Sequence, residues 1–375
     1  MPDVQGLPVL VRLDFNVPIA NGHVVNDYRI KKSLPTIDLL RQRNAKIIIV
    51  SHIEGASDTL RPVFEYLKRL VPISFCTDIL ADGPTGGAAM IKKMAPGDVL
   101  LCENIRQYPG EKKNDPLFVQ KLAALGGAYV NDAFSVAHRA HASVVGLATV
   151  LPGFIGLQFE KEIAALSLCF SPAHPFLFIL AGAKFETKLP LVQKFLTIAD
   201  TIFIGGALAN DLYTARGLAV GKSLVSDMGE DDSLKLLADN PRIMTPTDVV
   251  VSSDQGTRTS DPKEIAPNES VTDAGPKTIT ELRAVAAGAQ HILWNGPLGA
   301  YERGFVEPTK ELAKIVAGAT SRGATTIIGG GDTLAAAGNA GAESLFTFVS
   351  TGGGAMLDFL AAGTLPGLEA LKRRT

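Results

Sequence analysis

Thr325-Thr326-Ile327-Ile328-Gly329-Gly330-Gly331-Asp332-Thr333, an alanine-rich segment, and then Phe346-Thr347-Phe348-Val349-Ser350-Thr351-Gly352-Gly353-Gly354-Ala355 decide the fold. Twice, an apolar β-type run ends in three glycines that open a helix. Glycine lets a ligand press against backbone N–H groups, and a helix N-terminus favours anions. Asp332 adds a carboxylate suited to Mg²⁺. Side by side, such turns suggest a held nucleotide phosphate chain. The plainer reading is a pair of ordinary strand-to-helix turns.

Working outward, short β-branched runs alternate with amphipathic segments along the whole chain. That alternation predicts an α/β fold of parallel sheets covered by helices on both faces. Ligands on such sheets bind beyond the carboxyl ends of the strands. In the first part, Val9–Leu13 ends in Asp14-Phe15-Asn16, Lys46–Val50 in Ser51-His52, and Val99–Cys102 in Glu103-Asn104-Ile105-Arg106. Ala128–Val130 ends in Asn131-Asp132, ahead of Ala137-His138-Arg139-Ala140-His141. With Arg29, these ends gather Arg106, Arg139, His52, His138 and His141, a set suited to a small polyanion. Scattered surface ion pairs are the competing reading for any single arginine. His138 and His141 lack the spacing of a metal motif. Glu103 and Asp132 read as loop-ordering carboxylates rather than as an acid–base pair.

In the second part the strand ends carry glycine and lysine. Phe176–Leu180 ends in Ala181-Gly182-Ala183-Lys184, with Lys188 beyond, and Thr201–Ile204 in Gly205-Gly206-Ala207. Val249–Val251 ends in serines and Asp254; His291–Leu293 ends in Trp294-Asn295-Gly296-Pro297, with Glu302 beyond. This predicts a nucleotide cleft. Gly217–Ser223 is one residue short of a phosphate-binding Walker loop, so Lys222 reads as surface, and no GxGxxG is present. Leu151-Pro152-Gly153 breaks the pattern before a helix expected over Phe159–Cys169, and the tail from Leu365 to Arg373 is a further helix candidate.

The 375 residues exceed one typical core, so two domains are expected. A net charge of −2 gives no basic field for nucleic acid. Cys76, Cys102 and Cys169 have no CxxC spacing and suit a reducing cytosol. Neither a signal peptide nor a membrane-spanning run is visible.

Read together, Val11 to Pro18, Glu103 to Arg106, Asn131 to Phe134, Ala137 to Ser143, Gly182 to Lys184, Trp294 to Pro297, Gly329 to Thr333 and Ser350 to Ala355 resemble phosphoglycerate kinase. The match runs in order over nearly the whole chain. The resemblance implies two doubly wound, Rossmann-like domains joined by a connecting helix, with a cleft between them. Residues 1–154 would bind phosphoglycerate, 155–169 would link, 170–360 would bind nucleotide, and 361–375 would return to the first domain. It implies reversible phosphoryl transfer from 1,3-bisphosphoglycerate to MgADP, giving 3-phosphoglycerate and MgATP, by a hinge-bending cytoplasmic monomer with Mg²⁺ and without nucleic-acid or membrane partners. Asp14, Asn16, Arg29, His52, Arg106 and Arg139 match phosphoglycerate-binding positions. Gly182, Lys188, Gly206, Asn295, Glu302, Gly330, Gly331, Asp332 and Thr333 match nucleotide-binding positions, with Asp332 the Mg²⁺ ligand. Lys184 matches the lysine that follows the transferring phosphoryl group; Arg29 and the helix N-terminus at Gly353-Gly354 are further catalytic candidates.

The chain departs from the family where Ser-His-Leu-Gly-Arg-Pro is usual. It reads Ser51-His52-Ile53-Glu54-Gly55-Ala56, so a phosphate-binding arginine is replaced by Gly55 beside an acid. Arg61 is the nearby cation available to compensate. Two other readings stay open: a nucleotide-binding regulator without turnover, and a kinase for a related carboxylate acceptor.

Overall fold

The computed structural model describes residues 3–55, 58–227, 232–336 and 342–372. The chain divides into two compact units, Met1–Ala164 with Ala362–Thr375, and Ala165–Ala361.

The first unit is built on a six-stranded parallel sheet. Its spatial order is Ser74–Cys76, Val99–Cys102, Lys46–Val50, Pro8–Arg12, Ala128–Asn131, Gly153–Ile155. The central strands are apolar at nearly every position because both faces are covered. Val9, Val11, Ile47 and Ile49 enter one core, with Ile30, Ile37 and Leu40 of the helix Tyr28–Gln42. Leu10, Ile48, Val50, Leu100 and Tyr129 enter the core on the other face. The chain steps outward from Pro8–Arg12 on one side, returns, and resumes on the other. That reversal brings the ends of four central strands together, where an open α/β sheet offers a binding crevice.

The second unit is also built on a six-stranded parallel sheet, with a different strand order: Ile243–Met244, Thr201–Ile204, Phe176–Leu180, His291–Asn295, Thr325–Gly329, Phe348–Ser350. One expectation fails here. Val249–Ser253 is outside this sheet and pairs antiparallel with Gly256–Ser260 and Ser270–Ala274. Asp254 therefore sits in a two-residue hairpin turn closed by Gly256 at φ +110° and is not one of the parallel strand ends. The edge strands Ser74–Cys76 and Gly153–Ile155 escape sequence reading because three residues show no period.

The helix expected over Phe159–Cys169 runs Leu157–Ser167 and tightens into a 3₁₀ turn over Leu168–Phe170. The division between the units falls inside it, after Ala164. The last helix, Pro366–Lys372, contributes Ala370 and Leu371 to the core of the first unit. Gly367 N donates to Ala137 O at 2.8 Å, and a Cβ at Gly153 would meet Leu371 Cδ2 at 2.5 Å. The tail thus seals an edge strand that has a glycine where it needs room.

Truncating Leu371 to Ala removes a side chain only 6% exposed and should cost about 2–5 kcal/mol. Urea unfolding followed by circular dichroism should show an earlier transition, while fluorescence of Trp294, the single tryptophan and a residue of the second unit, should move less. An unchanged dichroism midpoint would refute the sealing role.

Candidate active site

In the first unit the strand ends converge on a cluster of cations. Arg12 is the last residue of its strand and has no exposed surface. Its Nε donates to Ser143 Oγ at 3.0 Å and its Nη2 to His52 Nδ1 at 2.9 Å. Ser143 Oγ in turn donates to Glu111 Oε1 at 2.6 Å, and Ser143 N donates to Glu111 Oε2 at 2.9 Å. Glu111 is itself fully buried. Because a guanidinium can only donate, His52 accepts at Nδ1 and carries its proton on Nε2. Burial, then Arg12, Arg106, Arg139 and Arg29, drive the His52 pKa far down, so the ring is neutral.

Arg29 reaches this cluster from the helix after the first strand. Its Nη1 lies 3.1 Å from Asp14 Oδ2 and donates to Asn16 O at 3.0 Å. Asp14 Oδ2 also accepts from Ser135 Oγ at 2.5 Å. Arg139 Nε donates to His138 Nε2 at 3.3 Å. Burial, Arg139 and Arg12 push Arg106 down to about 10, and burial with Arg106, Arg139 and Arg12 pushes His141 down to about 4. These groups repel one another, the electrostatic signature of a place prepared for an anion. Glu103 accepts from Leu60 N at 2.6 Å and Asn104 N at 2.7 Å, ordering the loop beneath.

Arg61 does not join them. Its guanidinium stacks 4.2 Å above the ring of Phe75 and 5.7 Å from Phe64. It packs on aromatic surface rather than replacing the arginine missing at Gly55. Gly55 itself has φ +103°, a conformation that an arginine would strain.

In the second unit glycine sets the spacing. Gly206 has φ +61°, and a Cβ there would lie 2.7 Å from Gly182 N. At Gly296, φ +94°, a Cβ would lie 2.2 Å from Ala181 O. Three strand ends therefore touch backbone to backbone. Asn295 Nδ2 donates to Gly329 O at 3.0 Å, and Thr333 Oγ1 accepts from Gly296 N at 3.0 Å. Gly330, φ +106°, fits beneath Thr333 Oγ1. A cleft of about 570 Å³ opens here, lined among others by Gly182, Gly206, Lys222, Asp273, Leu298 and Glu302. Lys222, expected as plain surface, is exposed but lines this cleft. Asp273 is buried in its wall, and burial raises its carboxyl to about 7.

Lys184 opens the helix Phe185–Phe195 in the left-handed region, φ +66° and ψ 69°. Such a backbone costs a non-glycine residue on the order of 1–3 kcal/mol and is concentrated at functional sites. Lys188 Nζ donates to Ala183 O, and burial lowers its pKa. Gly353, φ +53°, precedes the helix Gly354–Ala362 at the end of the edge strand Phe348–Ser350. Gly331 begins the helix Gly331–Ala336, whereas the Asp332 side chain lies outside the described residues. Among the described residues no group of three or more His, Cys, Asp or Glu could hold a metal ion.

Asp14, Asn16, Arg29, His52, Arg106 and Arg139 thus share one set of strand ends. Gly182, Gly206, Asn295, Gly330 and Thr333 share the other, with Lys184 and Lys188 following Gly182 and Glu302 lining the cleft. Sequence reading passed over Arg12, Glu111, Ser135 and Ser143 as site residues. The available signal was Arg12, a charge inside a strand otherwise apolar on both faces.

The family model described as Phosphoglycerate kinase matches residues 1–363. A phosphoglycerate kinase of Azorhizobium caulinodans is 42% identical, covering 99% of this chain and 98% of its own length. One of Rubrobacter xylanophilus is 41% identical over 99% of this chain and 97% of its own length. The solved phosphoglycerate kinase of Pyrococcus horikoshii matches with a TM-score of 0.85 and 31% identity, covering 99% of this chain and 97% of that one. That of Coxiella burnetii gives 0.83 and 33%, covering 100% and 98%.

Burial, then the neighbouring arginines, push His141 down to about 4 in the folded protein, against about 6.5 when unfolded. Below about 6.5 the unfolded chain takes a proton that the folded one refuses, so His141 weakens the fold as pH falls toward 4. In His141→Asn the slope of unfolding free energy against pH, from urea titrations between pH 6.5 and 4, should be shallower than in the parent. Equal slopes would show that His141 is free to protonate in the folded state.

Proposed function

Because the chain belongs to the phosphoglycerate kinase family, and is a phosphotransferase with a carboxyl group as acceptor, we propose how its residues divide the reaction. The first unit holds 3-phosphoglycerate or 1,3-bisphosphoglycerate, through Arg29, Arg106, Arg139, His52, Asp14 and Asn16. The second holds ADP or ATP on the backbone around Gly182, Gly206, Asn295 and Gly330 to Thr333, with Lys188 and Glu302 beside it. The observation that carries this reading is the gathering of Arg12, Arg29, Arg106 and Arg139 around His52 at one set of strand ends, a cluster that a bound polyanion would neutralise.

In the ATP-consuming direction the nucleophile is a carboxylate, ionised at neutral pH, so no general base is needed. His52 suits that chemistry: its Nδ1 is taken by Arg12 and its Nε2 offers a hydrogen to an anion. Catalysis then rests on positioning and charge neutralisation. We assign Lys184 to the moving phosphoryl group, and Arg29 and the helix start at Gly353-Gly354 to stabilising developing charge. A carboxylate such as that of Asp332 is the kind of donor Mg²⁺ takes. Asp332, in the first turn of a helix that leaves a glycine turn, would hold it as a single carboxylate, the other positions going to phosphate oxygens and water. Bound there, the ion would draw charge from the nucleotide phosphates.

We also take the enzyme to work as a cytoplasmic monomer without nucleic-acid or membrane partners. Its net charge of −2 offers no basic field, and among the described residues no helix is long and apolar enough to cross a membrane.

The primary test is turnover of ATP with 3-phosphoglycerate in a coupled assay. Nucleotide binding without turnover would restore the regulator reading, and faster turnover of another carboxylate in an acceptor panel would restore the alternative substrate. Lys184→Ala should lower kcat at least about a hundredfold while largely sparing nucleotide binding. Near-normal kcat would remove Lys184 from the chemistry. Asp332→Asn should weaken binding of MgATP, read by calorimetry, more than binding of metal-free ATP. Equal weakening would argue against a metal role.

A further inference from the structure

Arg106 carries a guanidinium whose side chain is only 4% exposed, and none of its three nitrogens makes a well-formed hydrogen bond. It is nevertheless in ion-pair contact, with the carboxylate of Glu54. Lys112 Nζ approaches the same Glu54 oxygen at 3.7 Å. The carboxylate is held there by its backbone, since Glu54 N donates to Asn16 Oδ1 at 2.9 Å. Gly55 follows at φ +103°. The Glu54 side chain is 46% exposed, so it can swing into solvent without opening the core.

This geometry puts a half-exposed, tethered monoanion on a buried arginine in the midst of repelling cations. We propose that Glu54 is a specificity-determining residue, an internal anion that caps Arg106 and that the phosphate of an incoming phosphoglycerate displaces. The inference rests on the proposed substrate role of Arg106. A dianionic phosphate that also engages the neighbouring arginines displaces a single carboxylate, whereas small singly charged anions gain too little. The cap therefore discriminates among anions and lowers affinity for the correct one. It adds a second reason, besides the arginine absent at Gly55, for weak binding of this substrate.

The test compares Glu54→Gln with the parent enzyme. Glutamine keeps the length and the backbone bond to Asn16 but removes the competing charge. KM for 3-phosphoglycerate should fall about three- to tenfold, the scale of one partly exposed ion pair, while KM for ATP stays within about twofold. Sulfate and acetate, added as competing anions, should inhibit the variant at lower concentration than the parent. Glu54→Asp, which keeps the charge on a shorter arm, should lie between the two. An unchanged or raised KM for 3-phosphoglycerate in Glu54→Gln overturns the cap. Arg106→Gln separates the levels of failure. If it raises KM for 3-phosphoglycerate while Glu54→Gln does not lower it, the cap is wrong and the substrate site stands. If it leaves that KM unchanged, both are wrong.

Discussion

A fully buried arginine needs a partner, and in this molecule the partner of Arg12 sets the geometry of the cationic site. The chain of bonds runs from Glu111 through Ser143 to Arg12 and on to His52. Each link is short, and each fixes the next. Burial lowers the Arg12 pKa, and Glu111 is the main charge opposing it. Without Glu111 the buried guanidinium would keep only neutral hydrogen-bond partners, Ser143, His52 and the carbonyl of Leu13. Glu111, remote from any solvent, thus acts on the ring of His52 through two intermediates. Arg12, which can only donate, fixes which nitrogen of that ring bears hydrogen, and Glu111 helps hold Arg12 in place through Ser143.

The second unit solves the opposite problem. Its strand ends are crowded by backbone, not by charge. Gly206 against Gly182 and Gly296 against Ala181 leave no space for a Cβ. Peptide groups thereby become the wall of the cleft, and peptide N–H groups bind phosphate without the desolvation cost of buried charge. Lys184 and Lys188 then supply cations one helical turn apart at the helix start. Both units carry a six-stranded parallel sheet, and they differ in what they place at its carboxyl edge: charged side chains in one, backbone in the other.

The parallel strands were legible because burial on both faces forces continuous apolar runs, as in Lys46–Val50 and Phe176–Leu180. The polar residues after them were legible as a site for the same reason. What escaped depends on distance along the chain. Glu111 lies in a five-residue helix of ordinary charged composition, and only the fold brings it to Ser143 and Arg12. Val249–Ser253 has the apolar opening of a buried strand, yet its turn at Asp254-Gln255-Gly256 makes it a hairpin arm. Arg61 looked available as a phosphate ligand, but the face of Phe75 holds it. Cation–π stacking of this sort leaves no sequence pattern, since Phe75 belongs to a three-residue edge strand with no period of its own.

The substitution at Gly55 shows how a departure from a family pattern is absorbed. Removing an arginine from a crowded cationic site lowers repulsion, and a carboxylate one residue earlier lowers it again. Gly55 has φ +103°, so an arginine placed there would pay backbone strain before it reached any phosphate. Restoring the missing residue alone is therefore a poor test of what the site has given up. The loop has settled around glycine and an adjoining acid as a unit, with Glu54 N on Asn16 and its carboxylate on Arg106. Charge at Glu54 can be changed without touching that backbone, so the proposed cap on Arg106 is open to test independently of the fold.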